Sequence, residues 1–178
     1  MTVIVALLRG VNVGGRGKLP MADLRAVAQE CGIDEARTYI QSGNLVGVTT
    51  ARNTEPLART LEAAIASACA VTPEVTIRTL AQLAQVVERS PFRRRGEPVE
   101  HLHVSFGIDD APAVIGLDDL ERYAPEEVEA VGRDLHLFLP DGMGRSKLAA
   151  DLSRKGSRGT ARNWRTVTTL VEMAGELG

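Results

Sequence analysis

The chain reads as an α+β protein of two related ferredoxin-like halves, βαββαβ followed by a looser βαββαα unit. Three observations lead there. Short apolar, β-branched runs alternate with stripes of helical spacing through the first 79 residues, in the order β-α-β-β-α-β. The pattern then restarts beyond a basic segment punctuated by Pro and Gly. Finally, 44% of the 178 residues are hydrophobic but only 3% aromatic, so the core is aliphatic and large enough for one large or two small domains.

Val3 to Arg9 reads as a buried strand, followed by a Gly-rich loop to Leu19. Pro20 suits a helix start, and Met21, Leu24, Val27, Ala28 and Cys31 form a helical stripe that Gly32 ends. Arg37 to Gln41 and Leu45 to Thr49 read as strands joined by Ser42-Gly43-Asn44, a hairpin signal. Leu57, Leu61, Ala64, Ile65 and Ala68 mark a second helix, and Val75 to Thr79 a strand. Thr79 with Gln82 is a capping box for a connecting helix through Leu83, Val86 and Val87. Ser90 to Pro98 is the best boundary, dividing residues 1–79, a connector over 80–98, and residues 99–178. His101 to Ile108 then reads as a strand, Val114 to Tyr123 as a helix, and Glu127 to Val131 with Leu135 to Leu139 as a second hairpin. A helix from about Ser146 follows. Thr160 has the chemistry of an N-cap, with Trp164, Val167, Leu170, Val171 and Ala174 at helical spacing behind it. In that reading Arg162 and Asn163 occupy the first turn.

The net charge is only −2, but it is distributed unevenly. Residues 1–22 hold Arg9, Arg16 and Lys18 and no acid, residues 143–170 are net +6, and residues 96–142 are net −10. The blocks either neutralise one another or leave basic loops that attract an anion. Val3 to Leu8, the longest apolar run at the N-terminus, falls far short of the ~20 residues of a membrane span and lacks a signal peptide's flanks. A cytoplasmic protein without a membrane anchor is expected. Cys31 and Cys69 show no metal or redox spacing and read as small buried hydrophobes.

The segments R-G-V-N-V-G-G-R-G-K-L-P-M-A-D-L-R from Arg9, T-Y-I-Q-S-G-N-L-V from Thr38, G-R-S-K-L from Gly144 and G-T-A-R-N-W-R-T-V from Gly159 resemble a bacterial family, the domain of unknown function 1697. The resemblance runs over about residues 2–175. It implies an α+β fold of two related ferredoxin-like halves and implies no activity. Its motif positions are Arg9, Gly10, Asn12, Gly14 and Lys18, then Gln41, Ser42, Gly43 and Asn44, then Ser146, Lys147, Thr160, Arg162, Asn163, Trp164 and Thr166. Gly47 departs from the bulkier residue usual at its place in the hairpin.

The first loop lies between a strand and a helix, as phosphate loops do. A Walker motif fails, because Asn12 stands where glycine is needed and Leu19 where Ser or Thr would bind magnesium. A Gly-rich backbone with Lys18 near a helix start still suits an anion, although glycines serve turns more often than ligands. Gln41 and Ser42 have no turn-forming necessity, whereas Gly43 and Asn44 supply positive φ. If the strand directions allow, the turn meets the first loop at one end of the sheet. Arg145 and Lys147 flank Ser146, a plausible cap, and Arg162 repeats the oddity of cations where a helix dipole prefers acids. An anionic ligand would resolve both cases, and so would side chains free in solvent. The candidate ligand-binding residues are therefore Arg9, Asn12, Lys18, Gln41, Ser42, Asn44, Arg145, Ser146, Lys147, Thr160, Arg162 and Asn163.

His101 and His103 share a strand face, with His136 on a later strand. No carboxylate or cysteine is assured beside them, so no metal and no other cofactor is expected. Ser42 and Ser146 offer hydroxyls, but no motif histidine stands by as a base, and catalytic residues are not assignable. The reading is a binding protein for a phosphorylated small molecule or a nucleic-acid backbone. An enzyme acting on a small anionic substrate, or a scaffold assembling through acidic and basic faces, are the alternatives. Stacking of bases on the sheet is disfavoured, because the first and third strands carry no aromatic residue.

Overall fold

The structure is a computed structural model that describes every residue except 16, 109, 110, 114, 156 and 157. Two compact units form, one from Met1–Ala84 with Thr169–Gly178 and the other from Gln85–Thr168.

The first unit runs β1 (Thr2–Arg9), α1 (Met21–Glu30), β2 (Ile33–Thr38), β3 (Asn44–Thr49), α2 (Thr54–Cys69), β4 (Glu74–Thr79), and then into α3 (Leu80–Glu88). Its sheet has the order β2-β3-β1-β4, with every neighbouring pair antiparallel. On one face Ile4, Ala6, Leu8, Leu45 and Ile77 pack with Leu24 and Val27 of α1 and Leu57, Leu61 and Ile65 of α2. Burying each of the larger side chains contributes about 1.5–3 kcal/mol. The opposite face is buried as well, and there Val5, Leu7 and Val46 lie among the polar residues Asn44, Thr76 and Arg78. This explains why β1 reads as a continuous apolar run rather than an alternation.

Strand β2 begins earlier than its sequence suggests, because a bulge between Asp34 and Arg37 interrupts the period of two. Within it Glu35 takes a φ of +51°. The bulge crosses over Gly47, where a Cβ would stand 2.8 Å from the Asp34 carbonyl oxygen and 2.6 Å from Ile33 Cγ2. The small residue that looked out of place in the hairpin is therefore required by its partner strand. Thr79 and Gln82 form the expected capping box, the Thr79 N–H donating to Gln82 Oε1 (2.9 Å) and the Gln82 N–H to Thr79 Oγ1 (3.2 Å).

The second unit holds α4 (Pro91–Arg94), β5 (Leu102–Gly107), β6 (Glu127–Val131), β7 (Asp134–Phe138), α5 (Lys147–Arg154) and β8 (Gly159–Asn163), from which α6 (Trp164–Gly175) starts. Its antiparallel sheet, β6-β7-β5-β8, repeats the order of the first. Two expectations are corrected here. Among the described residues of 114–123 only a 3-10 turn forms, Leu120–Tyr123; Gly116 and Asp119 take φ of +63° and +50°, which a helix does not allow, and residue 114 lies outside the described residues. Thr160 is not an N-cap. Gly159–Asn163 pairs with β5 as an alternating strand in which Thr160 and Arg162 are buried, and the cap of the following helix is Asn163, whose Oδ1 accepts from the Thr166 N–H at 2.8 Å.

The halves therefore correspond more closely than βαββαβ followed by βαββαα. Both end in a strand that delivers Thr-x-Arg and then a capping Thr or Asn: Thr76-Ile77-Arg78-Thr79 and Thr160-Ala161-Arg162-Asn163. In each, the arginine Nη1 donates to the hydroxyl of the threonine two residues before it, at 2.5 and 2.7 Å, and to the intervening carbonyl, at 3.3 and 2.8 Å. Each arginine also sits opposite a valine of the central strand, Val5 or Val104.

Candidate functional site

The Gly-rich loop leaves β1 at the end where β3 begins, since Leu7 pairs with Asn44. The loop and the β2–β3 turn accordingly meet. The Leu8 N–H donates to the Gly43 carbonyl at 2.8 Å. Gly43 has a φ of +77°, and a Cβ there would fall 2.6 Å from Val11 Cγ2 and 2.7 Å from Leu8 Cβ, so this close approach requires glycine.

Asn12 is the clasp. With a φ of +54°, its Nδ2 donates to the carbonyls of Leu19 (3.0 Å) and Gln41 (2.7 Å), and its Oδ1 accepts from the Leu19 N–H (2.9 Å). Its own N–H donates to the Gly17 carbonyl at 2.9 Å, closing the loop. The amide of Asn12 is thus committed to holding two loops together. Asn44, fully buried, does the same within the turn: its Nδ2 donates to the Tyr39 carbonyl (3.0 Å) and to Ser42 Oγ (2.9 Å). Arg9 pairs across to its β4 neighbour Glu74, at 3.2 Å, with both side chains about one-third exposed. Lys18 and the Gln41 side chain remain exposed on this fastened frame. Of the N-terminal candidates the structure brings Asn12, Gln41, Ser42 and Asn44 into one connected arrangement, and Arg9 bonds away from it.

The C-terminal candidates sit in the second unit. Ser146 caps α5 as expected, its Oγ accepting from the Ala149 N–H at 2.9 Å. Glu126 Oε2 accepts from the Leu148 N–H at 2.9 Å. A carboxylate of the chain itself therefore occupies the positive end of this helix, between the exposed Arg145 and Lys147. Arg162 is not a first-turn cation but a sheet residue 7% exposed, and desolvation lowers its pKa to about 10. Thr160 and Asn163 serve as its hydroxyl acceptor and as the cap of α6. Carboxylates of both the acidic and the basic block find partners nearby. Glu127 takes a bidentate pair from Arg95 (2.8 and 2.9 Å), which holds its carboxyl below the usual range, while Asp151 accepts from Arg122, Arg154 and the Tyr123 hydroxyl.

The histidines do not share a face. His101 lies in a 3-10 turn with its ring edge-on to Phe138, and the register places His103 beside Leu137 but His136 beside Val104 on the opposite side. Among the described residues no three His, Cys, Asp or Glu side chains converge as metal ligands. Sequence reasoning missed Arg78 and Glu126. The first had a signal, the Thr-x-Arg that recurs 84 residues later before another capped helix. The second had none, because Glu126 reaches α5 from across a hairpin.

A solved structure described as a conserved bacterial protein, SP0830 from Streptococcus pneumoniae, is similar to this chain with a TM-score of 0.69 at 19% identity, over 97% of this chain and 98% of that one. That likeness concerns the fold. No curated protein sequence matches. The family model described as protein of unknown function DUF1697 matches residues 1–136, which hold the Gly-rich loop and the turn clasped to it, while the Gly159–Val167 motif lies beyond the matched span. The chain belongs to the DUF1697 family.

Proposed function

We propose that this chain binds a small anionic ligand, with phosphate as its charged group, at the clasped loops of the first unit. The observation that carries the reading is the division of labour around Asn12. Two of its side-chain hydrogen bonds close the loop on Leu19 and a third ties the loop to the turn at Gln41, while Lys18 and the Gln41 side chain stand exposed. A pre-fixed frame with an exposed cation and an amide at its rim suits an anion, since its backbone is already ordered. The α5 terminus contributes less to the reading, since Glu126 already supplies its negative charge. We read both units as ferredoxin-like on their strand order, and the protein as cytoplasmic on its two free thiols.

Calorimetric titration at fixed ionic strength tests this. Inorganic phosphate should bind saturably, chloride should not, and Lys18→Ala should weaken phosphate binding roughly tenfold, as expected for loss of a charge-assisted contact. Equal heats with chloride, or unchanged binding by Lys18→Ala, would refute the proposal. A short oligonucleotide binding with a steep salt dependence would move the ligand from a small molecule to a nucleic-acid backbone.

A further inference from the structure

The second unit contains a cavity of about 490 Å³, walled by Leu120, Val128 and Leu148, with Glu121, Glu126 and Glu127 also contributing to its lining. We infer that it is a binding site for a primary alkylammonium group. The volume lies in the range of small-molecule sites, and the lining is predominantly apolar. Leu120 keeps 37% of its surface exposed, an apolar wall that the fold itself leaves uncovered.

The charges select the ligand. Both oxygens of Glu127 are taken by Arg95, and Glu126 gives one oxygen to the Leu148 N–H at the start of α5. Glu121 is exposed and, among the described residues, makes no side-chain hydrogen bond or ion pair. One carboxylate is therefore wholly available to a ligand, beside one paired with Arg95 and one engaged through a single oxygen. An anion would meet the unpaired Glu121 carboxylate unfavourably. Calcium takes six to eight oxygen ligands, and half of the carboxylate oxygens here are already committed. A single ammonium on an aliphatic stem satisfies Glu121 and covers the leucine and valine wall together.

This site is independent of the anion reading at the loops and prefers the opposite charge. Titrating the intact protein with methylammonium, n-pentylammonium and pentan-1-ol at constant ionic strength, followed by amide NMR, tests it. Pentylammonium should bind at least tenfold more tightly than either probe, with shifts centred on Leu120, Val128 and Leu148. Glu121→Gln should remove most of the preference over pentanol, and Leu120→Ser most of the preference over methylammonium. Both positions are exposed, so neither variant threatens the fold. Nα-acetyl-lysinamide separates the sources: binding as strong as pentylammonium identifies a lysine side chain, and weaker binding a free amine. Equal affinity for all probes, no saturation, or an unaltered Glu121→Gln variant would overturn the inference.

Discussion

Two residues carry more than their size suggests. Asn12 satisfies three partners with one amide, so Asn12→Ala should destabilise the protein by about 1–3 kcal/mol in denaturant titration, with added strain because alanine tolerates a positive φ poorly. Asn12→Asp keeps the acceptor for the Leu19 N–H but turns both donations into oxygen–oxygen contacts, and should cost at least as much. His136 is 1% exposed, with neither ring nitrogen hydrogen-bonded, and desolvation lowers its pKa against the opposing pull of Asp134. The pKa of His103 is lowered by burial too. For both, the unfolded chain takes up a proton near pH 6.5 before the folded one does. Their contribution is complete above pH 6.5 and is lost as the pH falls below it, by up to about 1.4 kcal/mol per pH unit for each histidine. His136→Leu should flatten the stability–pH curve between pH 6.5 and 5. An unchanged slope would mean the ring is hydrated.

At the scale of elements, the repeated Thr-x-Arg strand ends make a paired prediction. Arg78→Ala and Arg162→Ala each remove one hydrogen bond to a buried threonine hydroxyl and one to a carbonyl and leave a void, and should destabilise by about 2–4 kcal/mol each. Arg162 shows where sequence reading fails. A basic residue after a capping threonine looks like a helix start, and only pairing with β5 turns it into a strand residue. The same limit applied to β2, where a bulge erased the alternation, and to residues 114–123, where left-handed Gly116 and Asp119 break an apparently helical stripe. What was legible had local causes: the apolar run of β1, the Thr79–Gln82 capping box, and the stripes of α1 and α2. The loop and turn were also legible as separate motifs, but the amide that joins them was not, since Asn12 reaches Gln41 across 29 positions of chain. Gly47→Val should confirm that β2, not the turn, dictates the small residue there. The variant should lose protection from hydrogen exchange in β2 and β3 first.

For the whole molecule, the first unit is discontinuous in sequence. It takes up Thr169–Gly178, and Arg37 pairs with Glu176 at 3.0 Å. Ending the chain at residue 168 should lower protection in β1–β4 while β5–β8 keep theirs, as read by hydrogen exchange. Equal losses in both sheets would mean the units do not respond separately.

That discontinuity also orders events on the ribosome. The chain is made from its N-terminus at roughly 5–20 residues per second, so the segment that completes the first unit follows Ala84 by several seconds. All of Gln85–Thr168 is synthesised in that interval, as one uninterrupted stretch. The half begun first is therefore the half finished last, and through that interval the nascent β1–β4 region waits for its final ten residues.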